Sequence, residues 1–136
     1  MISCYKEKYV NNIIEVVAAV IWKDNKFLIC QRPAHKKQNP LQWEFPGGKV
    51  EQGETKEQAL VREIQEELNT IIFVKDTVGE AVHAYPDFSV RITFYNCEII
   101  KGIPEKLEHN DFAWITKADI QKYQFCPADL KMLKIL

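Results

Sequence analysis

Three glutamates near the middle of the chain, Glu63, Glu66 and Glu67, have the types and the spacing that could support chemistry. An α-helix advances about 100° per residue, so these carboxylates would share an arc of roughly 100° beside the packing residues. Like charges three or four residues apart repel, and acidic groups near a helix C-terminus oppose the helix dipole. The cluster is therefore either a solvated acidic face or a site for a cation that offsets the repulsion.

Clustered carboxylates supply the hard oxygen ligands that suit Mg²⁺, and also Mn²⁺, and such ions bridge to phosphates. Three glycines, Gly47, Gly48 and Gly53, precede the acidic stretch. They predict a tight loop whose backbone can come close to a metal and to phosphates. The same glycine spacing also fits an ordinary turn between a strand and a helix.

Residues 48–70 resemble the Nudix box, G-x5-E-x7-R-E-U-x-E-E-x-G-U, in which U is a bulky aliphatic residue. The positions in register are Gly48, Glu54, Arg62, Glu63, Ile64, Glu66 and Glu67. Two positions depart, because Asn69 stands where the box has Gly and Thr70 where it has the last aliphatic residue. Asn is the next-best residue for a left-handed C-cap, so we expect the helix to end there as in the family.

Residues 43–51 (WEFPGGKVE), Ile92-Thr93 and Pro127-Ala128-Asp129 are similar to the MutT-type branch of this family, the pyrophosphohydrolases that sanitise nucleotide pools and their cytidine-nucleotide-cleaving relatives. The resemblance implies an α/β or α+β fold, the Nudix α/β/α sandwich, in which helices pack on both faces of a mixed β-sheet. It also implies a Mg²⁺-dependent attack of water at the β-phosphorus of a nucleoside triphosphate, which yields the monophosphate and diphosphate.

The resemblance further implies roles for individual residues. Arg62 would orient the box glutamates by ion pairing, Glu54 would brace the loop, and Arg32 would contact a phosphate or ribose. The proton acceptor could be Glu66, Glu67 or the loop residue Glu108. The metal ligands would be oxygen atoms of Gly47 (its carbonyl), Glu63, Glu66, Glu67 and Glu108.

Recognition of the base depends on fewer residues. An ionised Asp129 would accept hydrogen bonds from the amino group of cytosine or from N1 and N2 of guanine, or it is simply an acid at a helix N-terminus. Aromatic side chains could stack on a base or belong to the core, namely Phe45, Tyr85 and Phe88. The histidines show no ligand spacing, so we interpret them as surface or loop residues: His35, His83 and His109.

The elements that must position these residues follow from the hydrophobic pattern. Residues 13–22 are rich in β-branched side chains and predict a buried strand, followed by a turn at 23–26 and a second strand at 27–31. Residues 33–40 are polar and contain two prolines, which indicates a loop and a mobile flap. Thr55 and Gln58 form a capping box that begins a helix ending at Leu68.

The second half of the chain predicts a hairpin and two short elements. Residues 88–95 alternate between apolar and polar side chains, and 78–85 would pair with them across a turn at Pro86-Asp87. Asp111–Ile115 is predicted as a short strand. Residues 127–136 are predicted as a C-terminal helix with Pro127 near its first position.

Bulk properties restrict the function classes. The 136 residues fit a single domain, 1–136, and the formal net charge of −1 excludes a globally basic nucleic-acid binder. The four cysteines form no CxxC pair, which favours free thiols in a reducing compartment. We found neither a membrane span nor a signal peptide, so we expect a cytoplasmic monomer or homodimer whose partner is a small-molecule nucleotide.

The main functional hypothesis is a pyrophosphohydrolase for oxidised or modified deoxynucleoside triphosphates such as 8-oxo-dGTP. The alternative is a pyrimidine enzyme for CTP or dCTP. An ADP-sugar hydrolase fits less well because the loops are short. A non-catalytic nucleotide sensor should have lost one of the three clustered glutamates, and RNA decapping would need a basic patch that the sequence lacks.

Overall fold

The computed structural model describes residues 12–136, so the prediction of a free thiol at Cys4 lies outside the described residues. The first strand, β1 (Ile13–Lys23), shows why the chain folds as it does. Val17, Ala19 and Ile21 point to one face of the sheet, and Ala18 and Val20 point to the other, all at most 4% exposed. A strand that is apolar on both faces needs cover on both sides. The predicted buried strand is confirmed.

The remaining elements follow in chain order. The strands are β2 (Lys26–Gln31), β3 (Trp43–Glu44), β4 (Gly47–Lys49), β5 (Ile71–Ala84), β6 (Ser89–Lys101) and β7 (Asp111–Ile115). The helices are α1 (Lys56–Leu68), a 3₁₀ helix (Lys117–Lys122) and α2 (Pro127–Leu133). The loop at residues 33–40 has no regular structure, as predicted.

The sheet is mixed, with the strand order β3-β2-β1-β6-β5. β1 and β6 pair in parallel from Ile13 opposite Ser89 to Ile21 opposite Cys97. β1 pairs with β2 only beside their turn, where Asp24 and Asn25 have positive φ angles of 50° and 67°. The other end of that edge of β1 pairs with β4. β1 and β2 therefore diverge, and the short strands β3 and β4 lie between them.

One helix covers each face of the sheet. Leu60, Ile64 and Leu68 of α1 pack with one set of strand residues, and Ala128, Met132 and Leu133 of α2 pack with the other. This arrangement confirms the expected sandwich with helices on both faces. In the described residues, no helix is long and apolar enough to cross a membrane.

Several predictions about the limits of elements were wrong, and β6 also extends to Lys101, beyond the predicted residues 88–95. β5 begins at Ile71 and not at residue 78, because the register shifts between Val74 and Gly79 interrupt its alternation and conceal its first half. α2 ends at Leu133, since its buried face ends there and Ile135 is 60% exposed. Gly47 and Gly48 lie in strand β4 and not in a loop.

Candidate functional site

The acidic helix α1 has well-defined ends. The Thr55 side chain accepts a hydrogen bond from the Gln58 N–H, and the Gln58 side chain accepts one from the Thr55 N–H, so the predicted capping box is confirmed. Asn69 takes the left-handed conformation, with φ 51° and ψ 45°, as expected of a residue that replaces glycine at this position. The Thr70 hydroxyl donates to the Leu68 carbonyl, so a polar residue is tolerated while only 1% exposed.

The three clustered glutamates lie in different environments. The side chain of Glu66 is 54% exposed, that of Glu63 is 17% exposed and that of Glu67 is 6% exposed. Glu66 thus points to solvent, whereas Glu67 lies next to the packing face of α1. The three carboxylates that the sequence places on one arc therefore differ in exposure, from Glu66 in solvent to Glu67 inside the protein.

Arg62 connects the helix to the preceding loop. Its Nε and Nη2 donate to the two carboxylate oxygens of Glu54 at 2.7 and 2.9 Å, and Nη2 also donates to the Lys49 carbonyl at 3.0 Å. Its Nη1 lies 2.9 Å from Glu63 Oε1 and 3.4 Å from Glu66 Oε2. The hydrogen bonds from Arg62 lower the pKa of Glu54 to about 2. Bidentate contacts of this kind fix both partners in place.

The two glycines of β4 provide space, and neither has a positive φ angle. A Cβ on Gly48 would lie 2.4 to 2.6 Å from the carboxylate atoms of Glu63, and a Cβ on Gly47 would lie 1.9 Å from the Val17 carbonyl oxygen. Gly48 therefore lets the Glu63 carboxylate lie directly on the strand. Gly47 lets β4 approach β1. The glycines thus act through close contact and not through an unusual backbone conformation.

Glu67 is a buried acid without a matching cation. Burial, followed by the neighbouring acids Glu63, Glu44 and Glu108, raises the pKa of Glu67 to about 10. Its Oε2 atom is buried and has no hydrogen-bond partner among the described residues. An ionised carboxylate in such a place is costly unless a cation joins it.

The donor set fits a hard divalent cation. It consists of oxygen atoms, it includes the unpartnered Oε2 of Glu67, and Gly48 lets the Glu63 carboxylate lie directly against the strand. Within residues 12–136, no three acidic, histidine or cysteine side chains stand together as a complete metal site, and Arg62 engages an oxygen of both Glu63 and Glu66. Binding of an ion would therefore require side-chain rotations of these glutamates.

Glu63 and Glu67 line a cleft of about 770 Å³, which Glu66 does not. Glu108, which is exposed, lies on the β6–β7 loop at the rim, and three basic side chains also line the cleft: His35, Lys36 and Lys49. Lys36 and Lys49, together with Arg32, supply the local positive charge that a polyanionic substrate would need in a protein of nearly zero net charge.

The same cleft is lined by the residues considered for base recognition. Tyr85 and Phe88 stack with their ring centres 5.0 Å apart, and Asn39 of the 33–40 loop donates to the Tyr85 hydroxyl at 3.2 Å. Phe45 is 3% exposed and packs edge-on against Phe94, so it is a core residue and not a free stacking surface.

Asp129 is a buried residue that lines the cleft. It is 5% exposed, and its Oδ1 accepts a hydrogen bond from the Phe45 N–H at 3.0 Å. Burial, followed by the charge of Glu44, raises the pKa of Asp129 well above its ordinary value. The sequence interpretation assumed an ionised carboxylate, whereas this environment favours the protonated form, which can also donate.

Two residues of the site were missed by sequence reasoning. Glu44 forms an ion pair with Arg32 at 2.9 Å, and the side chain of His109 is only 5% exposed, with its Nε2 3.3 Å from Glu44 Oε2. His109 lies in a loop as predicted, but it is not a surface residue. The one sequence signal is that Glu44 is polar between the apolar Trp43 and Phe45, which indicates a side chain on the opposite face of the strand from theirs.

Comparisons with known proteins agree with this geometry. Residues 16–134 match the family model described as NUDIX domain. The chain is 40% identical over 126 residues to a CTP pyrophosphohydrolase of Escherichia coli, covering 90% of each chain. It is 29% identical over 116 residues to an 8-oxo-dGTP diphosphatase of Escherichia coli, covering 85% of this chain and 90% of the relative. The solution structure of the E. coli ORF135 protein superposes with a TM-score of 0.79 at 35% identity, covering 91% and 88% of the two chains.

Proposed function

Because the chain belongs to the NUDIX family, we propose that it is a nucleoside triphosphate pyrophosphohydrolase that converts a triphosphate and water into a monophosphate and diphosphate. The observation that carries this function is the arrangement of the cleft. Acids that suit a divalent cation, a stacked aromatic pair and a buried aspartate all line the same cleft. Such a cleft suits a molecule with a phosphate chain and a flat base.

At the phosphate end, the proposed ligands are the Gly47 carbonyl and the carboxylates of Glu63, Glu66, Glu67 and Glu108. Enzymes of this family generally need a divalent metal, and we propose Mg²⁺, with Mn²⁺ as a substitute. The ion when bound neutralises phosphate charge and lowers the pKa of a water. Arg62 keeps Glu63 and Glu66 oriented, and Glu54 holds Arg62. Lys36, Lys49 and Arg32 attract the phosphate chain.

Proton transfer from the attacking water needs a free base near the phosphorus. Glu108 is exposed on the loop at the rim of the cleft, so it can serve as this base when it is not a ligand of the cation. Glu66 and Glu67 are the other acceptors that the site offers. Burial of Glu67 makes it the better ligand, since a cation offsets the cost of its charge there.

At the base end, we propose a purine that carries an oxidised ring, with 8-oxo-dGTP as the preferred substrate. A protonated Asp129 offers a donor to O6 and an acceptor to the N1–H of such a base. Tyr85 and Phe88 offer a surface for stacking. The enzyme would then remove damaged nucleotides before they enter DNA.

A pyrimidine substrate is the second candidate. Cytosine presents a donor at N4 and an acceptor at N3, which match the same two atoms of a protonated Asp129. The 40% identical relative is a CTP pyrophosphohydrolase. We further propose a cytoplasmic protein with one domain, active as a monomer or homodimer, because free nucleotides are its substrates.

The direct test is a nucleotide panel with Mg²⁺ or Mn²⁺ that contains 8-oxo-dGTP, dGTP, dCTP, 5-methyl-dCTP, CTP and ADP-ribose. We expect a nucleoside monophosphate and diphosphate from the triphosphates, with the highest kcat/KM for 8-oxo-dGTP. Highest activity on CTP or dCTP would favour the second candidate. Release of inorganic phosphate in place of diphosphate would contradict the proposed reaction.

Asp129→Ala tests the base end separately. One well-placed pair of hydrogen bonds discriminates between bases by about tenfold or more, so we expect the kcat/KM values across the panel to converge by about tenfold. Mn²⁺ affinity, measured by calorimetry, should stay the same. Asp119→Ala removes an acid from the first turn of the 3₁₀ helix and serves as the matched control. An unchanged substrate ranking would reduce Asp129 to a structural residue.

A further inference from the structure

His109 lines the cleft beside two acids. Its Nε2 is 3.3 Å from Glu44 Oε2 and 3.5 Å from Glu67 Oε1. Its Nδ1 is buried and has no partner among the described residues. Among the described residues, the ring therefore makes its polar contacts through Nε2 alone. Nε2 faces both Glu44, which pairs with Arg32, and Glu67, the buried acid of α1.

The β6–β7 loop brings the imidazole to this position. The Leu107 N–H donates to the Glu67 carbonyl at 3.3 Å, and the Asn110 N–H donates to the Gln31 carbonyl at 2.9 Å. These two anchors fix the loop on α1 and β2, on either side of residues 108 and 109. Between them, Glu108 points to solvent and the His109 side chain points inward.

When a bound cation keeps Glu67 ionised beside Glu44, a ring nitrogen that faces both carboxylates must carry a hydrogen, because two acceptors cannot form a hydrogen bond with a bare nitrogen. Nε2–H is present in the imidazolium and in one neutral tautomer, so the contact does not depend on the charge of the ring. A hydrogen-bond donor in that place orients the carboxylates and reduces their mutual repulsion. Partners of metal ligands that act in this way usually change metal affinity or activity by tenfold to a hundredfold.

We propose that His109 is a positioning residue whose Nε2–H holds the carboxylates of Glu67 and Glu44 and fixes the loop that carries Glu108 beside the cleft. The inference rests on the proposed function. It adds a positioning residue that acts through Glu67.

Two amide variants of His109 distinguish a donor at the position of Nε2 from one at the position of Nδ1. In His109→Gln the amide nitrogen lies near the position of Nε2, whereas in His109→Asn it lies near the position of Nδ1. His109→Leu fills the space without a donor. We expect kcat to fall about tenfold in the Asn and Leu variants and to stay within about twofold of wild type in the Gln variant. KM should be unchanged in all three, because Arg32 still holds Glu44. Lys106→Ala, in an exposed part of the same loop, is the control.

Calorimetric titration with Mn²⁺ in the absence of nucleotide gives a readout that is independent of turnover. The dissociation constant should rise about tenfold for the Asn and Leu variants and recover in the Gln variant. Equal values for Gln and Asn, or a Leu variant as good as Gln, would overturn the proposal in favour of simple packing. A wild-type protein that cleaves no nucleotide would refute the proposed function, while the Mn²⁺ series would still decide the role of His109.

Discussion

Glu54 and Glu67 belong to the same acidic stretch, yet their environments shift their pKa values in opposite directions. Arg62 binds both oxygens of Glu54 and lowers its pKa to about 2. Glu67 is buried next to other acids, and its pKa is raised to about 10. One glutamate is stabilised as an anion by the protein itself. The other is buried among acids, an environment that favours its uncharged form and that a cation supplied from outside would offset.

The difference divides the acidic stretch into two regions. The Arg62 cluster, which we define as Arg62, Glu54, Glu63 and the Lys49 carbonyl, contains its own positive charge and holds the loop against the helix. The second region, the Glu67 region, consists of Glu67 and the neighbouring Glu108, and neither pairs with an arginine or lysine among the described residues. Glu63 belongs to the first region because it contacts Arg62. It also lies beside Glu67 and raises the pKa of Glu67, so it connects the two regions.

The largest expected effect comes from Glu67→Gln, which removes the charge from the second region and keeps its shape. Because charge neutralisation acts on the transition state, we expect kcat to fall at least about a hundredfold. The fold should remain intact, since burial already favours an uncharged side chain there. Circular dichroism and thermal unfolding without metal would check this.

Mn²⁺ offers a second measurement on the same variant. Wild-type protein should unfold at a higher temperature when Mn²⁺ is added, and Glu67→Gln should lose most of that increase. Glu98→Gln, an exposed glutamate on β6, is the matched control. Near-normal turnover in Glu67→Gln would remove Glu67 from the mechanism and with it the contrast between the two regions.

The glycines of β4 allow a sharper test at the border between the regions. A methyl group at Gly48 would displace the end of the Glu63 side chain, whereas one at Gly47 would strike the backbone of β1. We expect Gly48→Ala to stay folded and to bind Mn²⁺ about tenfold more weakly. Gly47→Ala should lower the unfolding temperature markedly. Equal stability losses in both variants would show that Gly48 serves the sheet and not Glu63.

The sequence alone predicted the features that depend on nearby residues. The capping box, the left-handed Asn69 and the limits of α1 follow from side chains within one or two turns of each other. The buried β1 and the turn at residues 86–87 follow from periodicity and from turn chemistry. The resemblance to the Nudix box supplied the family, which periodicity alone does not give.

The features that sequence reasoning missed depend on contacts across the chain. Glu44 and His109 are 65 residues apart, and no local pattern brings them together. The pKa of Asp129 depends on burial beneath β3, which becomes visible only in the folded chain. The glycines were noted for their flexibility, but their role is steric, because β4 lies directly against β1 and Glu63.

The smallest effect concerns the Arg62 cluster and appears in the pH dependence of stability. The pKa of Glu54 is about 2 in the folded protein, below its ordinary value of 4.5. Its contribution to stability is therefore fully present above pH 4.5 and is lost as the pH falls toward 2. Glu54→Gln should be less stable than wild type at pH 6, and the two should converge near pH 2 in urea unfolding. Glu51→Gln, whose carboxylate is 68% exposed and 3.9 Å from Arg62, should differ much less from wild type. A constant gap for Glu54→Gln would mean that Arg62 does not hold Glu54 as an anion, and the contrast with Glu67 would then rest on Glu67 alone.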